Sequence, residues 1–227
     1  MRITFITLFP EVYPTLLNFS ILKRAQEKGL VEFEVIDLRK FGIGSHKSVD
    51  DRPYGGGAGM VLRADVLAAS ILDIQKKSPQ KKTKVILTSA SGQPFKQNRA
   101  RRFLKEENLV IISGHYEGVD QRFIDKYVDS EISIGDYVLT GGELPSLVIA
   151  DAIVRLLPEV LEKQEATLDE SFEEGLLEYP HYTRPDIFEG KKVPNILKGG
   201  NHQKIKEWRK AQSLAKTKKI RPDLTKA

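Results

Sequence analysis

Four short runs, Ile3–Leu8, Val31–Ile36, Lys84–Thr88 and Leu109–Ser113, are apolar and rich in β-branched residues almost without interruption. A strand with one wet face alternates apolar and polar residues. A run that is apolar throughout needs cover on both faces, as in a largely parallel sheet. Helical patterns over Val12–Lys28, Ala64–Lys76 and Gln97–Glu107 separate these runs. The alternation predicts an α/β domain reaching to about Pro158. The chain has 227 residues, 40% of them apolar, enough for one large domain and a small appendage. No segment has the length and apolarity to cross a membrane, and the chain opens directly into a strand-like run with no signal-peptide pattern. It has no cysteine, which excludes disulfides, thiolate nucleophiles and cysteine-ligated zinc, so a cytoplasmic protein is expected.

Charge divides the remainder of the chain. From Pro158 to Glu178 there are eight acidic residues and one basic residue, Lys163; from Ile187 to Ala227 there are twelve Lys or Arg and three Asp or Glu. The acidic stretch has little hydrophobic periodicity and is expected to be a mobile linker, and the basic third a surface for a polyanion. The predicted organisation is an α/β domain over 1–160, a linker over 161–175 and a helical basic domain over 176–227. In the last, a helix from His202 to about Lys219 carries an apolar stripe of Ile205, Trp208, Ala211 or Gln212, and Ala215, ended by Pro222.

Glycine clusters mark the candidate site. Ser133–Pro145 packs Gly135, Gly141 and Gly142 between a strand-like run and an apolar helical run, where the main chain can approach a ligand closely. Asp136 and Glu143 beside that loop argue against a phosphate and for a neutral or cationic ligand. Ser113–Asp120 and Thr88–Gly92 each follow an apolar strand, the position where open α/β sheets place ligands. Three such loops at one sheet edge would form a single crevice. Asp50–Gly59 is a further glycine-rich loop, but it is neither a Walker A motif nor a dinucleotide fingerprint. Its Arg52 and Tyr54 suit a loop that wedges beside a base. His115 reads as a base or, more commonly, as a wall residue. The four histidines lack ligand-like spacing, so no metal site is expected. Arg155, in an otherwise apolar run, either snorkels to the surface or faces a cleft where negative charge develops.

Four long motifs carry a resemblance: Asp-Asp-Arg-Pro-Tyr-Gly-Gly-Gly (50–57), Gly-His-Tyr-Glu-Gly-Val-Asp (114–120), Ser-Ile-Gly-Asp-Tyr-Val-Leu-Thr-Gly-Gly-Glu-Leu-Pro (133–145) and Pro-His-Tyr-Thr-Arg-Pro (180–185). With Ile-Thr-Leu-Phe-Pro-Glu (6–11), they run nearly the whole chain in the order of the bacterial tRNA (guanine-N1)-methyltransferases of the SPOUT class, which the chain resembles. The resemblance implies a mostly parallel sheet whose C-terminal part is tied in a deep trefoil knot, an exception to the rule that chains do not thread their own loops. It also implies a homodimer with tRNA as substrate and S-adenosylmethionine as cofactor.

The resemblance places that cofactor against Ile134, Gly135, Asp136, Tyr137, Val138, Leu139, Gly141 and Gly142, with Pro145 beyond them. Gly114, Tyr116, Glu117 and Gly118 join from the second loop and Ser89 from the third. The implied reaction methylates N1 of the guanosine just 3′ of the anticodon. N1 must lose a proton, and negative charge then spreads to O6, which calls for a carboxylate and a cation. Arg155 matches the family's arginine. The carboxylate belongs to an Asp-Ser-Phe motif that here reads Glu170-Ser171-Phe172, with Asp169 one place earlier; Glu170 holds the aligned position. Arg52, Tyr54, Arg184, Lys198, Lys204 and Arg209 are the expected RNA contacts. Magnesium is implied too, though the sequence holds no pre-built site. An RNA-binding factor that keeps this fold without catalysis, favoured by the altered motif, and a SPOUT enzyme acting on another RNA position are the rival readings.

Overall fold

A computed structural model describes residues 1–77, 82–161, 170–173 and 175–225, and divides the chain into two compact units, Met1–Glu162 and Lys163–Ala227. Asp169 and most of the expected linker lie outside the described residues.

The first unit is built on β1 (Arg2–Thr7), β2 (Glu32–Asp37), β5 (Thr83–Pro94), β6 (Asn108–Ser113) and β7 (Ser130–Ser133), all paired in parallel in the order β2-β1-β6-β5-β7. Side chains alternate across each strand, so both faces need apolar residues. Ile3, Phe5, Ile86, Leu109, Ile111 and Ile132 pack on one face with α1 (Tyr13–Leu17), α2 (Ser20–Glu27), α4 (Gln97–Phe103) and α6 (Glu143–Val154). Ile6, Val85, Leu87, Val110 and Ile112 pack on the other with α3 (Ala64–Lys77) and α5 (Gln121–Tyr127). Each such side chain stabilises the fold by about 1.5–3 kcal/mol relative to exposure, which is why these runs are apolar throughout. In α3 the buried Val66, Leu67, Ser70, Ile71 and Ile74 follow helical spacing, with Asp65 in the first turn and Lys76 and Lys77 in the last, matching the helix dipole.

Two elements depart from the sequence pattern. The helical pattern over Val12–Lys28 is split, because Phe19 is extended and Ser20 sits at φ 48°. The Gln26 amide donates to the Leu17 carbonyl at 2.8 Å and so occupies an acceptor that the break leaves open. The Thr88–Gly92 loop is not the end of a strand. Thr88 and Gln93 both pair with Ile132, so residues 89–92 bulge out of β5, which then rejoins β7. A Cβ on Gly92 would stand 2.5 Å from the Ile132 nitrogen, so the bulge closes only over glycine. A short antiparallel pair, β3 (Asp50–Asp51) and β4 (Val61–Leu62), carries the Arg52–Met60 loop.

The second unit holds the hairpin of β8 (Ile187–Phe188) and β9 (Lys191–Lys192) and the helix α7 (His202–Ile220), whose N-cap Asn201 accepts from the Lys204 nitrogen at 3.1 Å. The expected apolar stripe of α7 is corrected in part. Ile205, Trp208 and Gln212 are half-buried, but Ala211 and Ala215 are exposed, and Thr217 is the buried residue. The inner face there is polar and matched to main chain: Thr217 Oγ1 accepts from the Leu177 nitrogen at 2.8 Å, Lys216 donates to the Glu178 carbonyl at 3.0 Å, and the Ser213 hydroxyl donates to the Leu177 carbonyl. A pattern that counts only apolar residues misses a face made of satisfied polar groups.

One buried network ties three elements of the first unit together. The Tyr13 hydroxyl of α1 bonds the Ser113 hydroxyl at the end of β6 at 2.8 Å and the Ser146 hydroxyl of α6 at 2.9 Å. Burial, with the nearby Glu143 charge adding to it, pushes the Tyr13 pKa above its ordinary value. Tyr13→Phe is expected to lower stability by about 1–3 kcal/mol, read by urea unfolding near neutral pH. The neutral hydroxyl is favoured in the fold, so its contribution is full below about pH 10 and is lost as pH rises further. The gap between the two proteins should therefore narrow at high pH.

Candidate functional site

At the C-terminal edge of the sheet the three glycine-bearing segments meet. Thr88 of β5 is the hub: its hydroxyl accepts from the Gly114 nitrogen at 3.2 Å and faces the carbonyls of Ile112 at 3.1 Å and Gly142 at 3.3 Å. Gly142 also donates to the Gly114 carbonyl at 2.7 Å. The segments approach so closely that a Cβ at 142 would overlap the Thr88 hydroxyl and the main chain of 113–114, and one at 114 would stand 2.6 Å from the Thr88 carbonyl. Side chains are excluded there by backbone.

Around this crossing lies a cavity of about 490 Å³, inside the usual range for small-molecule sites. The structure brings to its wall Ser89, Gly114, Tyr116, Glu117, Gly118, Ile134, Gly135, Tyr137, Val138, Leu139, Gly141, Gly142 and Pro145. Asp136, next to them in sequence, is exposed and does not line the cavity. The wall also includes residues that the sequence reading did not single out, among them Ser91, Gln121, Glu131 and Thr140. Glu131 was legible as part of a strand, but facing the cavity depends on β7 lying beside β5.

Glu143, read from sequence as a carboxylate beside the loop, does lie against Gly141 but is buried and does not line the cavity. It is 7% exposed in the first turn of α6 and accepts from the Thr7 hydroxyl at 2.8 Å. The helix N-terminus favours a negative charge there. Glu117 and Glu131 are the carboxylates left to colour the cavity. Glu117 is held by its nitrogen, which donates to the Met60 carbonyl at 3.0 Å, and its carboxylate lies against Gly59, where a Cβ would overlap it. The Arg52–Met60 loop therefore ends at the cavity rim. Tyr54 within it is 98% exposed.

His115 is a wall residue, its ring edge-on to Phe9 at 5.1 Å and to Tyr116 at 4.6 Å between centroids. Its Nδ1 is buried without a hydrogen-bond partner among the described residues. Tyr116 beside it takes φ 57°, a conformation rare outside glycine and asparagine. Arg155 caps the C-terminus of α6, half-buried, its nitrogen donating to the Asp151 carbonyl at 3.1 Å. The twelve helical steps between Glu143 and Arg155 put it about 18 Å along the axis from the cavity end of α6. In the second unit, Arg209 lies over the Tyr179 ring at 4.7 Å, Lys198 pairs with Asp186 at 3.1 Å, and Arg184 and Lys204 are exposed. Glu170 begins a short described stretch in which the Ser171 hydroxyl accepts from the Glu178 nitrogen at 3.0 Å.

Comparison with known proteins bears on this geometry. The family model described as tRNA (Guanine-1)-methyltransferase TrmD matches residues 1–227. Among curated proteins called tRNA (guanine-N(1)-)-methyltransferase, that of Bacillus pumilus is 52% identical, covering 99% of this chain and 91% of the relative. The Bacillus subtilis protein is 50% identical over 100% of this chain and 93% of its own length. That of Caldicellulosiruptor saccharolyticus is 54% identical over 98% and 89% respectively.

Gly142→Ala is expected to force apart the loops at 88, 114 and 142, because its new methyl meets the main chain of 113–114 as well as the Thr88 hydroxyl. The cost should be at least about 1–3 kcal/mol in urea unfolding; wild-type stability would refute the tight crossing.

Proposed function

Since this chain belongs to the tRNA (guanine-1)-methyltransferase family, we propose that it transfers a methyl group to N1 of the guanosine immediately 3′ of the anticodon of tRNA. The full-length family match, joined to a single cavity built by three backbone-lined loops, carries this reading. The chain is threaded as the family's trefoil knot, for which the crossing at Thr88, Gly114 and Gly142 is the supporting feature.

The cavity fits S-adenosylmethionine. Its volume suits a nucleoside-sized ligand, its glycines let the loops that build it pack against one another, and Glu117 and Glu131 favour a cation. S-Adenosylmethionine supplies an electrophilic methyl on a sulfonium. Backbone groups of 134–142 hold the adenine, and Ser89, Gly114, Tyr116 and Gly118 close the other walls. Asp136 itself lies outside the cavity lining. Magnesium is assigned no step, since among the described residues no three His, Asp or Glu side chains come together as a metal would need.

A carboxylate from the 169–170 segment takes the N1 proton, with Glu170 at the aligned position and Asp169 its neighbour. The Arg155 guanidinium stabilises the negative charge that then develops on O6. Arg155 is out of reach of the cavity end of its own α6, so the reading takes the enzyme to be a homodimer in which a second copy brings the arginine in. The surface of α6 supports this. The helix is apolar nearly all round, and Leu144 at 56% and Val148 at 50% exposure form an apolar face without cover among the described residues. The basic second unit, with Arg184, Lys198, Lys204 and Arg209, grips the tRNA backbone, while Arg52 and Tyr54 help present the guanine. Among the described residues no helix could cross a membrane, and a tRNA substrate goes with a cytoplasmic location.

Single-turnover methylation of unmodified tRNA, with the product nucleoside identified, tests the reaction. Arg155→Ala should slow it about 10²–10³-fold, and substitution of the base (Glu170→Gln against Asp169→Asn) about 10²–10⁴-fold, each with cofactor affinity near wild type. Wild-type protein that binds tRNA and forms no 1-methylguanosine would leave the non-catalytic RNA-binding reading standing. A second prediction concerns assembly. Leu144→Asp with Val148→Asp should halve the mass in solution while the far-ultraviolet circular dichroism stays native, and a mass unaffected by the pair would remove α6 from the interface.

A further inference from the structure

The β8–β9 hairpin of the second unit displays apolar and cationic groups side by side. Its turn residues, Glu189 at φ 47° and Gly190 at φ 77°, are both left-handed, the signature of a two-residue turn that fixes register and strand twist. Register then pairs Phe188 with Lys191 and Ile187 with Lys192, and the Val193 nitrogen closes the ladder on the Asp186 carbonyl at 3.0 Å. Residues directly opposite one another share a face, and successive residues point to opposite faces. Phe188 and Lys191 therefore share one face, Ile187 and Lys192 the other.

All four are exposed, Phe188 at 65% and Ile187 at 54%. The Phe188 ring meets no other ring among the described residues, and neither lysine has a carboxylate partner among them. The neighbouring cation Lys198, by contrast, is paired with Asp186. A two-residue strand gains nothing for the core by carrying an exposed phenylalanine, and an unneutralised ammonium beside it selects for a negatively charged partner.

We propose that this hairpin is a nucleotide-binding finger. Phe188 stacks on one unstacked base of the tRNA substrate, and Lys191, on the same face, holds the phosphate beside it. Base–aromatic stacking with lysines tracking the backbone is how single-stranded segments of RNA are gripped without a sequence requirement. The assignment rests on tRNA being the substrate and adds to it the residues that seat the loop.

The test measures the tRNA dissociation constant by direct binding separately from single-turnover methylation, on full-length protein. Phe188→Ala should raise that constant about tenfold, while the rate at saturating tRNA, cofactor affinity, melting temperature and mass in solution stay at wild type. Phe188→Trp should restore binding. Lys191→Gln should flatten the slope of log affinity against log salt by about 1 unit. Unchanged tRNA affinity in Phe188→Ala would overturn the proposal, as would a loss of affinity accompanied by a fall in mass, which would make the hairpin a contact with a second copy. Wild type that forms no 1-methylguanosine would instead strike at the activity, since the binding constants are read independently of methylation.

Discussion

The crossing of three backbone segments at Thr88, Gly114 and Gly142 is the constraint on which the first unit depends. One hydroxyl meets main-chain groups from β6, from the loop after it and from the N-terminus of α6. Burying so many peptide groups is tolerable only because each finds a partner, and the partners can meet only because two of the residues lack a Cβ. Strand order, the start of α6 and the cavity wall therefore follow from one contact. Beneath it, Tyr13 joins Ser113 and Ser146, and Thr7 joins Glu143, so α6 is fixed from the sheet side as well. A site formed by backbone in this way is rigid before any ligand arrives, which lowers the ordering cost of binding.

How much of this was legible in the sequence depends on the range over which the cause acts. The parallel sheet was readable because two-sided burial writes itself into runs such as Leu109–Ser113. The glycine loops were readable because close approach forbids side chains. That Glu143 is buried was not readable, since its partner Thr7 lies 136 residues away in sequence and nothing local reveals the bond. The break at Phe19–Ser20 has neither glycine nor proline to mark it. The return of β5 after its bulge required knowing that β7 lies alongside. Contacts between residues distant in sequence leave no local trace, and they decide which carboxylates line a cavity.

The second unit obeys a different economy. Its helix α7 buries little, and polar groups matched to the main chain of 177–178 hold it. Such an interface keeps Lys and Arg on the outside without asking for a large apolar core, which suits a small module facing a polyanion. The cations there are not equivalent. Lys198 is neutralised by Asp186, and Arg209 is stacked on Tyr179, so both serve the module's own structure before any partner. Counting basic residues overstates the charge available to RNA.

The inward turn of Glu143 also bears on ligand choice. A carboxylate at a helix N-terminus, bonded to a buried threonine, is satisfied within the fold, and it stands behind Gly141 rather than in the cavity wall. Glu117 and Glu131 remain at the wall, and at the reduced dielectric of a cleft two such charges disfavour a phosphate by far more than they would in water. A nucleotide cofactor carrying phosphates would meet that repulsion beside a loop with no compensating lysine at its wall among the described residues. A nucleoside bearing a positive sulfonium meets attraction instead. The same backbone cradle that could have held a dinucleotide is thus restricted by two side chains to an uncharged nucleoside end and a cationic one.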